Sequence, residues 1–202
     1  MALLLSILLL AYWLLAPTLL SALLPPAGRL GRDGTAVLIA LASWVVLALW
    51  LPLRIWPPRP EPPAFGLSIL IGLAALYLAV FATGIVRRDE ADDGPPDGAA
   101  LTVAVLSPLS EELLFRGFLL SLALPPLGGY GAVAFSAVLF LGVHEFGRIG
   151  GARRSPRETL ADLLFGLVAG MLVLITGTIL APLALHILVN GLYAYGRRPA
   201  GS

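Results

Sequence analysis

Cysteine is absent from all 202 residues. Its absence excludes disulfides, thiol nucleophiles and cysteine-ligated metals. Lysine is absent as well, so all 13 basic residues are arginine. Charge of either sign is scarce, at 12% of the chain, roughly half the share found in soluble domains. A net charge of +1 gives no footing for a nucleic-acid partner. Apolar residues fill the chain instead, at 58%, with a mean hydropathy of +0.93. A soluble fold of this size cannot hide that much apolar surface, so lipid is the expected solvent for part of it.

Seven apolar segments approach the length needed to cross a core of about 30 Å at about 1.5 Å per residue. They are 2–24, 34–53, 64–86, 99–123, 129–146, 156–176 and 179–196. The expected fold is therefore all-α, a polytopic transmembrane bundle of about seven spans forming one membrane domain, 1–202. The first segment has no basic n-region and no small-residue cleavage site, and it reads as a retained helix rather than a signal peptide. Breaks fall at Pro25-Pro26-Ala27-Gly28, at Pro57-Pro58-Arg59-Pro60, in an acidic loop from Arg87 to Gly98, at Gly128-Gly129 and in a basic loop from Gly147 to Arg157. Ser155-Pro156-Arg157-Glu158 has the form of a capping box with proline at the first helical position. Gly166 and Gly170 make a small-xxx-small pair suited to close helix contact.

Arginine placement fixes an expected orientation. With seven spans, one side collects Arg29, Arg32, Arg87, Arg88, Arg148, Arg153, Arg154, Arg157, Arg197 and Arg198, and the other only Arg54 and Arg59. The positive-inside rule then places the C-terminus in the cytoplasm and the N-terminus outside. Arginine-only basicity beside abundant Ala, Gly and Pro points to a GC-rich, prokaryotic source and hence to a plasma membrane.

Arg116 is left over, inside the fourth segment, which reads Ser107-Pro108-Leu109-Ser110-Glu111-Glu112-Leu113-Leu114-Phe115-Arg116-Gly117. Each unpaired charge at that depth costs about 3 kcal/mol, and three cost on the order of 9. Glu112 and Arg116 stand four residues apart in the favourable order and are expected to pair. Glu111 points about 100° away with no partner in its own helix, which suits it to acid–base chemistry. Pro108 removes a backbone hydrogen bond one turn earlier, an expected kink or entry point for water.

Two further spans carry polar residues at one-turn spacing. The fifth ends Phe140-Leu141-Gly142-Val143-His144-Glu145-Phe146, so Phe140 can shield the His144 ring. The seventh holds His186 and Asn190 on one face. These are the only two histidines in the chain. A carboxylate base, an imidazole to help hold water, and a His/Asn pair of donors for an oxyanion make a complete hydrolytic set without a serine or cysteine nucleophile.

Glu-Glu-x-x-x-Arg, Phe-x-x-x-His and His-x-x-x-Asn, in that order on three helices, resemble the CAAX prenyl protease and bacteriocin-processing family of intramembrane endopeptidases. The resemblance covers 101–196, which would be the catalytic core. It implies that Glu111 and His144 activate water, that His186 and Asn190 form the oxyanion hole, and that Glu112 and Arg116 support the site together with Phe140. Described members of that family have eight helices, against the seven counted here. No cofactor is then required, and the partners are the bilayer and a peptide or membrane-protein substrate.

Other readings stay open at this level. Glu111, Glu112, His144 and His186 could instead ligate zinc. Glu and His chains also mark proton paths in transporters, although no internal repeat or pair of broken helices is present. A non-catalytic scaffold would not need all four polar groups. Glu112 and Arg116 taken alone suit a structural ion pair, and Phe115 and Phe118 suit packing. His144-Glu145 resembles the start of a zincin motif, but position 148 is arginine, so the second histidine is missing; Glu145 is expected to pair with Arg148. Asp162 is expected near the membrane interface, and the acidic loop in solvent.

Overall fold

The computed structural model describes residues 63–85, 98–146 and 155–195, with isolated helical residues between 4 and 42. The expected spans 2–24 and 34–53 lie outside that set apart from those isolated residues. Most of the acidic loop and most of the basic loop lie outside it too. Among the described residues the order is α1 (Pro63–Ile85), α2 (Gly98–Glu112), a π-helical segment (Leu113–Leu119), α3 (Leu120–Phe146), α4 (Pro156–Thr176) and α5 (Leu180–Tyr195), with no strand. The five later expected spans each coincide with helix. Two stretches, Val105–Glu145 and Pro156–Thr176, are long and apolar enough to cross a membrane.

The first of those stretches has 41 residues. A straight helix of that length would measure about 60 Å, twice the hydrocarbon core. Gly128 resolves this. It takes φ 67° and ψ 176°, a non-helical conformation open to glycine, and α3 is there two helices joined end to end. The first arm closes after Pro125 and Pro126. The second arm runs from 129 to 146.

Local chemistry sets the ends of α4. The Ser155 hydroxyl accepts from the Glu158 N–H at 3.3 Å, and the Glu158 carboxylate accepts from the Ser155 N–H at 2.9 Å. Both halves of the expected capping box are present, with proline in the first turn. At the other end Gly177 adopts φ 70° and donates its N–H to Val173 O at 2.8 Å. This is a left-handed cap, and it turns the chain within three residues into α5.

Helix α4 is the centre of the bundle, packing against α1, α3, α5 and the π segment. Its glycines permit this. A Cβ on Gly166 would stand 3.0 Å from both Cα and Cβ of Ala137, and one on Gly170 would stand 2.9 Å from Val133 Cγ1. On the α1 side, Tyr77 and Phe165 meet at a ring separation of 5.9 Å.

Polarity runs opposite to that of a water-soluble protein. Ile71, Leu78, Val138, Leu180 and Leu188 are each 58–62% exposed on the outer faces. Ser110, Glu111, Glu112, Arg116, Ser136 and His186 are buried inside. Aliphatic surface outward and ionisable groups inward is the arrangement that hydrocarbon solvent requires.

Candidate active site

The site begins where α2 changes its hydrogen-bond register. Pro108 lies within α2. The helix departs from α geometry later, in the π segment that opens directly after Glu112 and carries Arg116. Such segments are uncommon and often fall at functional positions. Ser136 on the second arm of α3 donates its hydroxyl to Phe115 O at 2.8 Å, tying that arm to the π segment.

Glu112 and Arg116 pair as expected, Nη1 to Oε1 at 3.2 Å, both fully buried. Glu112 has a second partner that spacing could not reveal. His186 Nδ1, 74 residues along the chain, lies 2.8 Å from the same Oε1. The guanidinium is closed in from other directions. Its Nη2 approaches Gly166 O at 3.5 Å, and its central carbon lies 4.6 Å from the Phe140 ring centroid, 5.6 Å from Phe165 and 5.8 Å from Phe115.

Glu111 faces a different direction. Its Oε1 accepts the Ser107 hydroxyl at 2.7 Å. Its Oε2 is buried without a hydrogen-bond partner. That oxygen stands 3.7 Å from His144 Nε2 and 3.8 Å from His186 Nε2. These separations are too long for direct hydrogen bonds.

Both imidazoles are anchored through their other nitrogen. His144 Nδ1 lies 2.9 Å from Phe140 O. A carbonyl only accepts, so this nitrogen donates, and Nε2 is the one turned towards Glu111. His186 Nδ1 is held by Glu112, with the same consequence. Phe140 packs on His144 at 4.2 Å and on His186 at 6.0 Å, and Phe165 packs on His186 at 4.6 Å. Side-chain exposure is 23% for His144, 11% for Glu111 and 7% for His186, so the cluster is most open beside His144.

The structure thus brings together six residues singled out in the sequence: Glu111, Glu112, Arg116, Phe140, His144 and His186. Asn190 lies one turn beyond His186 on α5, half-buried. Three contributors were not anticipated. Ser107 had a readable signal, standing four residues before Glu111. Phe165 and the Gly166 carbonyl had none, since only the tertiary packing of α4 brings them in. Glu145, exposed, accepts the Thr159 hydroxyl at 2.8 Å; its expected partner Arg148 lies outside the described residues. Asp162 is half-buried on α4. Among the described residues no group of three or more His, Asp or Glu is arranged to hold a metal ion.

Outer faces that suit lipid thus surround a buried cluster of carboxylates and imidazoles. The comparison with known families supplies the class. Residues 98–192 match the family model described as Type II CAAX prenyl endopeptidase Rce1-like. The matched stretch is just under half of the chain and contains all three motifs; this is the family whose motif order they resemble, and its activity is that of an endopeptidase. No curated protein and no solved structure matches the chain.

Proposed function

We propose that this protein is an intramembrane endopeptidase in which Glu111 is the general base for a water molecule shared with His144. The observation that carries the reading is the position of Glu111 Oε2, buried without a hydrogen-bond partner and within 3.8 Å of Nε2 on both imidazoles. A water oxygen between these groups is polarised from two sides. It attacks the scissile carbonyl carbon while its proton passes to Glu111. The oxyanion that forms accepts hydrogen bonds from His186 Nε2–H and the Asn190 amide. His186 can donate there while its Nδ1–H remains on Glu112, because an imidazole carrying both protons is a donor at both ends. Collapse of the intermediate breaks the C–N bond, and Glu111 returns its proton to the leaving nitrogen.

Glu112 and Arg116 act one step back. Glu112 sets the ring plane and tautomer of His186, and Arg116 compensates its charge inside an aromatic wall. The substrate is a peptide segment of a membrane-associated protein that reaches the cluster from the open side at His144. The arginine distribution supports a C-terminus in the cytoplasm, and arginine-only basicity beside abundant Ala, Gly and Pro supports a prokaryotic cell.

A zinc-dependent variant of the same chemistry draws support from one feature: both imidazoles are anchored through Nδ1 with Nε2 turned towards a carboxylate, as ligating histidines are. The candidate ligands would be Glu111, Glu112, His144 and His186, but as they stand they are not arranged as a ligand set, and Glu112 Oε1 already serves His186 and Arg116. Bound there, the metal would supply Lewis-acid activation of water. Exhaustive chelation separates the two forms. The metal-free mechanism predicts unchanged cleavage, and a loss restored by zinc would establish the metal.

The function itself is tested by comparing membrane proteomes of cells carrying the wild-type protein, Glu111→Ala and His144→Ala. A cleavage product that disappears in both variants, with the proteins still inserted at wild-type level, is the expected outcome. Identical proteomes would remove the protease assignment.

A further inference from the structure

Glu111 has two oxygens with different surroundings, and the difference traces to a residue outside the three motifs. Ser107 lies one turn before Glu111 on α2 and donates its hydroxyl to Oε1 at 2.7 Å. A serine within a helix commonly turns its hydroxyl back to a carbonyl one turn earlier. Here it points forward, to a carboxylate in the candidate catalytic cluster. The bond is short and charge-assisted, in the stronger class of hydrogen bonds. Oε2 has no such donor and is the oxygen presented to His144 and His186.

We infer that Ser107 is a positioning residue that fixes the Glu111 carboxylate so that Oε2, and not Oε1, faces the reacting water. This rests on the reading of Glu111 as the base. A glutamate carboxylate rotates about a broad, two-fold terminal torsion. With one oxygen pinned by Ser107, that rotation is closed off, and Oε2 stays directed at the space between the two imidazoles. Without the hydroxyl, Oε1 is a buried acceptor lacking its donor, and the carboxylate turns away to find another. The base is still present but spends less time aligned. The loss then falls on the chemical step rather than on substrate binding. Ser107 does not touch the peptide and is not itself a catalytic residue.

The test uses full-length protein in liposomes and a peptide substrate identified from the membrane proteomes. Three variants are compared with wild type: Ser107→Ala, Ser107→Thr and Glu111→Gln. For Ser107→Ala the expected result is a fall in kcat of about tenfold, the worth of a hydrogen bond to a charged group, with KM within a factor of two of wild type. Ser107→Thr restores the hydroxyl and is expected to recover most of kcat. Thermal unfolding in detergent checks that each variant is folded. Unchanged kcat in Ser107→Ala, a change confined to KM, or equal impairment of the Ala and Thr variants would each overturn the assignment while Glu111→Gln remains inactive. If Glu111→Gln cleaves normally, the base itself is misassigned, and the role of Ser107 falls with it.

Discussion

The Glu112–Arg116–His186 chain gives the sharpest energetic prediction. Glu112 Oε1 serves two buried partners, His186 Nδ1 at 2.8 Å and Arg116 Nη1 at 3.2 Å. Glu112→Gln keeps the shape of the side chain and removes its charge. Arg116 is then a cation with no anionic partner in its own helix turn. The Gly166 carbonyl, at 3.5 Å, is at the limit of hydrogen bonding and cannot replace a carboxylate. Breaking one side of a buried ion pair costs about 3–5 kcal/mol. The three rings around the guanidinium return part of that, so a loss near 3 kcal/mol is expected. Removing the cation as well, in Glu112→Gln/Arg116→Met, eliminates the uncompensated charge. The loss then shrinks to the cation–π contribution, about 1–2 kcal/mol. The double variant should therefore be more stable than the single one, which is non-additivity of opposite sign to two independent lesions. Cleavage follows a different order. His186 lacks its charged partner in both variants, so both stay at least about tenfold below wild type. Reversible unfolding in mixed detergent micelles, followed by far-ultraviolet circular dichroism, reads the first quantity, and peptide cleavage reads the second. A double variant less stable than Glu112→Gln would refute the buried-pair account. Full activity in either variant would refute the tie between Glu112 and His186.

Gly166→Val should destabilise the bundle by about 2–3 kcal/mol, because its Cβ would meet the Ala137 backbone at 3.0 Å and has no flexible neighbour to displace; the same unfolding measurement detects it. Ser155→Ala should cost about 1 kcal/mol by removing half of the capping box at the start of α4, with cleavage unchanged because the box is remote from the cluster. Phe165→Ala should cost about 3 kcal/mol and lower activity, since the ring packs on His186 at 4.6 Å; wild-type activity at reduced stability would show that His186 needs no aromatic support.

The site was legible because ionisable residues are expensive within apolar helices. Glu111, Glu112, Arg116, His144 and His186 stand out against their surroundings, and one-turn spacing indicates which of them share a face. The capping box at Ser155 and the glycine pair on α4 were legible for a similar reason, as local chemistry and local size carry their own signal. The π segment at Leu113–Leu119 was not. It is a change of backbone register that no side-chain pattern announces. The second partner of Glu112 was hidden because a contact across 74 residues depends on how α2 and α5 pack. Phe165 was hidden by ordinariness: a phenylalanine in an apolar helix has no mark that sets it apart. The count of seven spans depends on segments 2–24 and 34–53, which fall outside the described residues.

The most direct measurement is the rate of peptide cleavage by purified Glu111→Gln in liposomes, beside wild type and with chelator present. A general base accounts for about 100-fold or more in rate, so the variant should lose at least that factor while inserting and unfolding like wild type. Cleavage within tenfold of wild type would mean that the carboxylate between the two imidazoles is not what activates the water.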